Sequence, residues 1–169
     1  KNRISFSREC FQMSEQCSKR KNCRLCNSEK LCQCFKLEPT PPANAFVKKE
    51  HLDELQTTFP LDVYFCENCY HVQLLDIVDP KELFENYVYV SGTSPVFVDH
   101  FRRYSEKLIG EYNLRAGASV VEIGSNDGTL LRFFKDKGMQ VLGIDPAFAI
   151  AEKATASGIE TLPLFFGKQ

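Results

Sequence analysis

VVEIGSNDGTLL, Val120 to Leu131, reads as a strand, a glycine turn and the start of a helix. That order builds a nucleotide-type pocket at the end of the strand. The surrounding chain repeats the pattern. SVVEIG, then Asp127 to Lys137, then QVLGID, then Ala147 to Ser157, then IETLPLFF make two βαβ units. Apolar strands alternating with amphipathic helices predict a parallel sheet wound right-handedly. Three such strands leave a face or an edge uncovered, so the segment reads as the first part of a longer domain.

The turn itself is Glu122-x-Gly124-x-Asn126-x-Gly128. A dinucleotide fold uses G-x-G-x-x-G, whose middle glycine lets a pyrophosphate approach the backbone. Here Asn126 fills that place. The spacing fits better the acidic-x-Gly-x-Gly-x-Gly loop of S-adenosylmethionine (SAM) methyltransferases, with one glycine replaced. SAM has no pyrophosphate, so a side chain at Asn126 is tolerable, and Gly124 leaves the backbone room to contact the methionine end. Asp145 ends the next strand, 21 residues after Gly124. A carboxylate there suits ribose hydroxyls in NAD and SAM folds alike. The loop and the acidic residues together favour SAM over NAD.

Upstream, Ser94-Pro95 opens a helix that runs to about Tyr112, with Phe97, Phe101, Tyr104 and Leu108 on one face as a core stripe. His100 within it reads as a surface residue. Asp79-Pro80 starts a shorter helix over Pro80 to Tyr87. PTPPANAF, Pro39 to Phe46, is an extended loop, because three prolines disfavour helix and sheet ladder alike. Strand-like runs cover Leu31 to Leu37, Leu61 to Cys66 and His71 to Leu75.

These runs frame two cysteine pairs, Cys23-x-x-Cys26 and Cys66-x-x-Cys69, with 39 residues between them. Four thiolates suit tetrahedral zinc, and a two-residue spacing lets a tight turn aim both sulfurs of a pair at one ion. A loop of that length costs little more to close than a shorter one. Asn27 after the first pair tolerates the left-handed backbone such turns need, whereas Tyr70 after the second is less ideal. Four thiolates leave no open position, so the zinc is structural. His71 is the alternative fourth ligand. Cys32 and Cys34 share one face of a strand and read as packing residues.

Composition bounds the rest. The chain has 169 residues, 43% hydrophobic and 25% charged, with a formal net charge of −1. That is ordinary for a soluble globular protein and gives no hint of a polyanion partner. The basic cluster at Lys19, Arg20, Lys21 and Arg24 has no aromatic motif beside it, so no nucleic-acid partner is expected. No apolar run is long enough to span a bilayer. Eight cysteines without an export signal favour metal ligation in a cytoplasmic setting over a disulfide framework. Residues 1–22, with Cys10 and Cys17, read as a poorly ordered polar extension. A zinc-binding domain over 23–78 follows, then connecting helices over 79–116 and a truncated α/β domain over 117–169.

CRLCNS, PPANAF, CENCYHVQLL, YVYVSGTS and VVEIGSNDGTLL, in that order, resemble the sugar C-methyltransferases of deoxysugar biosynthesis. These methylate C-3 of nucleotide-linked 4-keto-6-deoxyhexoses. The resemblance covers Cys23 to about Gly167. It implies an α/β protein with a small zinc-binding N-terminal domain on Cys23, Cys26, Cys66 and Cys69. An incomplete class I (Rossmann-like) SAM methyltransferase domain follows, with a nucleotide-sugar substrate. It also places the YVYVSGTS segment at the active site, with Tyr89 the first catalytic candidate and Tyr87 the second. Glu122, Gly124, Asn126, Gly128 and Asp145 are the cofactor-binding candidates. Ser91-Gly92 departs from the two serines usual in the family. The histidine region that supplies the base, and the C-terminal domain, are expected beyond residue 169, so this chain alone is expected to be inactive. Two other readings stand beside it: a zinc-bearing α/β module that binds a nucleotide or partner without chemistry, and a methyltransferase for another keto or carboxylate substrate.

Overall fold

The computed structural model describes residues 16–167; Cys10 and most of the polar extension lie outside the described residues. The chain divides into two units. The first runs to Ala43 and resumes from Val47 to Asp79; the second takes Asn44–Phe46 and everything from Pro80 onward.

The first unit is built on an antiparallel sheet in the order β2 (Leu31–Phe35), β3 (Val63–Cys66), β4 (Val72–Leu74). Val63, Tyr64 and Phe65 are strand-favouring residues, and the second cysteine turn closes β3 onto β4, pairing Phe65 with Val72. β2 ends at Phe35, earlier than the expected Leu37. Its register against β3 shifts between Gln33 and Phe35, a bulge that disrupts the ladder at Cys34. Cys32 and Cys34 are both exposed, so they are not the packing residues expected of them.

The end of the polar extension also departs from expectation. Cys17–Lys19 is a strand, β1, paired antiparallel with β5 (Asp76–Val78), which no sequence signal marked. The Arg20 amide continues the pairing by donating to the Leu75 carbonyl at 2.9 Å. Lys19 lies 3.6 Å from the Asp76 carboxylate and 5.0 Å from the centre of the Tyr64 ring. These cross-strand contacts let a polar ribbon form without an apolar alternation. The proline-rich loop also makes one pairing: Thr40 and Phe59 exchange backbone hydrogen bonds. Thr40 precedes the Pro41-Pro42 pair, so its amide is free to donate.

The second unit opens with α1 (Pro80–Phe84), shorter than expected, and α2 (Pro95–Glu111). Pro95 opens α2 and the Ser94 hydroxyl accepts the Phe97 amide at 3.4 Å, the cap its sequence promised. The buried face differs from expectation. Ser105 is the one fully buried residue of α2, flanked by half-buried Val98, Phe101 and Leu108, while Phe97 and Tyr104 are exposed. A small residue at the centre lets α2 approach its neighbour closely, which turns the aromatic stripe aside. His100 is exposed and stacks on Tyr104.

Then follow β6 (Ser119–Ile123), α3 (Thr129–Lys135), β7 (Gln140–Ile144), α4 (Phe148–Ala156) and β8 (Thr161–Leu162). The strands form a parallel sheet in that order, with Val121 opposite Leu142 and Gly143 opposite Thr161. Leu131 and Phe134 of α3, Ile150, Ala151 and Ala154 of α4, and Met139, Ile144 and Ile159 form the buried core. Each helix contributes its apolar stripe and each strand end points its loop to the same edge, which sets the geometry of the turn after β6.

Candidate metal centre and ligand pocket

The two cysteine turns are near copies of one another. After the first, Asn27 donates its amide to the Cys23 carbonyl at 3.0 Å and Cys23 donates to Ser28 at 2.8 Å; after the second, Tyr70 donates to Cys66 at 2.8 Å and Cys66 to His71 at 2.9 Å. Asn27 and Tyr70 take the same left-handed conformation, φ 62° and 63°. The tyrosine is strained there, and its ring rests 5.8 Å from that of Phe65.

This brings the Cys23, Cys26, Cys66 and Cys69 sulfurs all within 4.8 Å of one another. Cys23 to Cys69 and Cys26 to Cys66 are both 3.6 Å, close to the edge of about 3.8 Å expected for a tetrahedron of thiolates around zinc. The donor set and its spacing therefore fit the ion. His71 contributes its backbone to the turn, and the four-sulfur set closes without its ring.

Hydrogen-bond donors surround the sulfurs. The Gln73 amide nitrogen donates to Cys23 at 3.2 Å, and its oxygen accepts the Arg24 amide at 2.9 Å. Asn68 reaches Cys26 at 3.5 Å. Burial works against the Cys23 thiolate, but the Cys26 and Leu25 amides and Gln73 outweigh it and bring its pKa down to about 5. Cys69, despite a hydrogen bond from the His71 backbone, is pushed up to about 12 by burial and the three sulfurs beside it. Four thiols confined so closely cannot all ionise without a cation among them. Gln73 is a ligand-supporting residue that the sequence reading missed.

The second unit holds a pocket of about 470 Å³ whose wall includes Gly124, Asn126, Asp145, Tyr87 and Tyr89. That volume lies within the range of small-molecule sites. Phe84, Phe165 and Phe166 add an aromatic wall that no sequence motif announced. Gly124 has φ 72° and open space where a side chain would point, so a ligand can meet its backbone. Gly128, φ 74°, is closed instead: a Cβ there would lie 2.7 Å from Ile159. It serves packing beneath the turn and is not a pocket-lining residue.

Asp145 is buried, and both its oxygens already accept backbone amides, Oδ2 from Asn126 at 2.8 Å and Oδ1 from Ala147 at 2.9 Å. A carboxylate oxygen accepts more than one hydrogen bond, so hydroxyls of a ligand remain within its capacity. Glu122 sits behind the turn. Burial, and then the nearby Asp127 and Asp145 charges, raise its pKa to about 7. Its Oε2 and the Ser125 hydroxyl are buried without a hydrogen-bond partner.

Tyr89 is 40% exposed and its ring lies 6.5 Å from that of Tyr87, edge on. The Tyr87 hydroxyl accepts from Asn44 at 3.5 Å. The structure thus brings both tyrosines to the wall that holds Gly124, Asn126 and Asp145, and leaves Glu122 and Gly128 behind it.

Residues 23–84 match a family model described as "Putative zinc binding domain". The chain is 33% identical over 144 residues to the C-methyltransferase NovU of Streptomyces niveus, 85% of this chain and 34% of that protein. It is 35% identical over 78 residues to an uncharacterized methyltransferase of Staphylococcus carnosus (strain TM300), 46% of this chain and 36% of that protein. The chain thus spans about a third of the length of the curated relatives it matches. No helix among the described residues is long and apolar enough to cross a membrane. The family model over the cysteine unit and the likeness to NovU over most of the chain support the family that the motifs resemble, that of the N-terminal region of a sugar C-methyltransferase.

Proposed function

We propose that this chain forms the zinc-bearing, cofactor-binding part of a SAM-dependent C-methyltransferase that acts beside the ketone of a nucleotide-linked deoxysugar. The observation that carries the reading is the shared wall: an open Gly124, the Asp145 carboxylate and Tyr89 line one pocket. SAM, when bound, supplies an electrophilic methyl group. Gly124 would admit its methionine end and Asp145 would accept from the ribose hydroxyls. The substrate's carbonyl would acidify the adjacent C–H and a general base would take that proton; SAM would supply the methyl to the carbon, its sulfur keeping the S–CH3 bonding pair and leaving as S-adenosylhomocysteine. Tyr89 donates its hydroxyl to the enolate oxygen, which lowers the cost of the charge that develops there. The zinc, held by four thiolates, fixes the first unit and takes no part in the chemistry.

Calorimetric titration of SAM, S-adenosylhomocysteine and NAD tests this. The expected result is binding of the first two, no competition by NAD, and a loss in Asp145→Ala of about 1.5–3 kcal/mol for a hydrogen bond to a charged group. NAD binding more tightly than SAM overturns the cofactor. Binding of neither favours a zinc-bearing module without chemistry.

A further inference from the structure

Asn126 occupies a left-handed backbone, φ 50°, at the place where glycine would cost nothing. Its amide and both ends of its side chain are engaged. Its amide donates to Asp145 Oδ2 at 2.8 Å, its Oδ1 accepts the Ser91 amide at 2.9 Å, and its Nδ2 donates to the Tyr89 carbonyl at 2.9 Å. Next to it, Asp127 Oδ2 accepts the Gly92 amide at 2.9 Å, while Oδ1 holds the Thr129 hydroxyl at 2.7 Å. Gly92 is confined by the same contact, since a Cβ there would lie 2.5 Å from Asp127 Oδ2 and 2.8 Å from the Thr129 hydroxyl.

We infer that Asn126 and Asp127 are positioning residues, a two-point fastener that holds Tyr89–Gly92 on the glycine turn and so sets Tyr89 over whatever the turn binds. The chain from Glu85 to Ser94 has no sheet partner, no buried residue and one short 3-10 turn, Ser91–Thr93, and these side chains supply hydrogen bonds that join it to the glycine turn. The side chain at Asn126 exchanges a relaxed turn for a tethered tyrosine. Gly92 is the matching half, the residue whose missing Cβ lets the segment close. Because Asn126 also bonds Asp145, a ligand that engages Asp145 and orders the turn tightens the tether as well. That last step rests on the cofactor reading above; the fastener itself does not.

The test is amide hydrogen exchange on the whole chain, with and without S-adenosylhomocysteine, in wild type, Asn126→Gly and Gly92→Ala. Asn126→Gly keeps the backbone turn and removes only the tether. It is expected to lower protection at Ser91 and Gly92 about tenfold, the size expected for losing a pair of modest hydrogen bonds. The β6 and β7 amides should stay within about twofold, since they belong to the sheet. Gly92→Ala should reproduce that local loss from the other side of the contact, and the two changes combined should lose no more than either alone. Unchanged protection at Ser91 and Gly92 in the ligand-free Asn126→Gly chain overturns the fastener, whatever the cofactor. Failure of S-adenosylhomocysteine to bind wild type, with the ligand-free pattern as expected, sinks the cofactor reading and upholds the fastener.

Discussion

The cysteine turns and the glycine turn pose one backbone problem and solve it in opposite ways. Asn27, Tyr70 and Asn126 all sit at φ between 50° and 63° without being glycine. In the first unit the strain is countered by ligand geometry: the turn exists to aim sulfurs, and little else is buried there beyond Phe59, Leu75 and the two innermost cysteines. In the second, Asn126 compensates through its own side chain, on a platform of Leu131, Ile144, Ile150 and Ile159 packed beneath. A unit with a small core needs an ion to stay folded; a unit with a full one tolerates local strain for the sake of its site.

The sharpest way to break this contrast is to remove the ion. Cys66→Ser, or a strong chelator, is expected to unfold the first unit and leave the second intact, because a structural zinc contributes on the order of 10 kcal/mol to so small a module. Elemental analysis with unit-resolved hydrogen exchange checks it. Full metal content in Cys66→Ser, or melting of both units together, would erase the distinction.

A smaller effect belongs to Glu122. Its folded pKa of about 7 stands above its ordinary 4.5 because burial and neighbouring carboxylates disfavour the charge. The folded state holds the proton that the unfolded state has lost, so the stabilising contribution is complete below 4.5 and declines as pH rises to about 7. Glu122→Gln should flatten that slope and leave the second unit more stable than wild type at pH 8. Denaturant melts followed across pH 4 to 8 measure it; an unchanged slope would show that Glu122 is not the group under tension.

The smallest change tests the strain in the cysteine turn. Tyr70→Asn should stabilise the zinc-loaded first unit by up to about 1 kcal/mol, since asparagine enters the left-handed region more readily. A loss of stability instead would show that the ring contact with Phe65 outweighs the backbone cost.

Local chemistry was legible in the sequence wherever a residue type is tied to one conformation. Ser94-Pro95 marked the start of α2, the paired C-x-x-C marked both knuckles, and the glycine turn marked β6 and α3 within a few residues. Long-range pairing was not. Cys17–Lys19 carries no strand signal, because its partner Asp76–Val78 and the Tyr64 ring supply what its own residues lack. Ser105 at the centre of a helix face reads as polar until a neighbouring helix covers it. In the site, Gly124 and Asn126 were visible from spacing alone. The tether from Asn126 to Tyr89 spans 37 residues and leaves no mark in either motif. Gly128 shares the motif's spacing with Gly124, and only the position of Ile159 shows that one is closed by packing while the other lies open.

The pairing of β1 with β5 has a kinetic side. Cys17 meets Val78 across most of the first unit, so the ribbon forms only after that whole stretch of chain is available. β6 meets β7 across a single short crossover, Ser119 opposite Gln140. Ring closure at the longer separation costs about 1 kcal/mol more in chain entropy, and contacts of higher sequence separation slow folding further. Metal capture shortens the problem. Once Cys23 and Cys69 share an ion, the ends left to join are a few residues from that crosslink on either side, and β1 then closes as a local event. Zinc held by these cysteines would thus shorten the loop that β1 and β5 must close, a help that the short crossover of the second unit does not need.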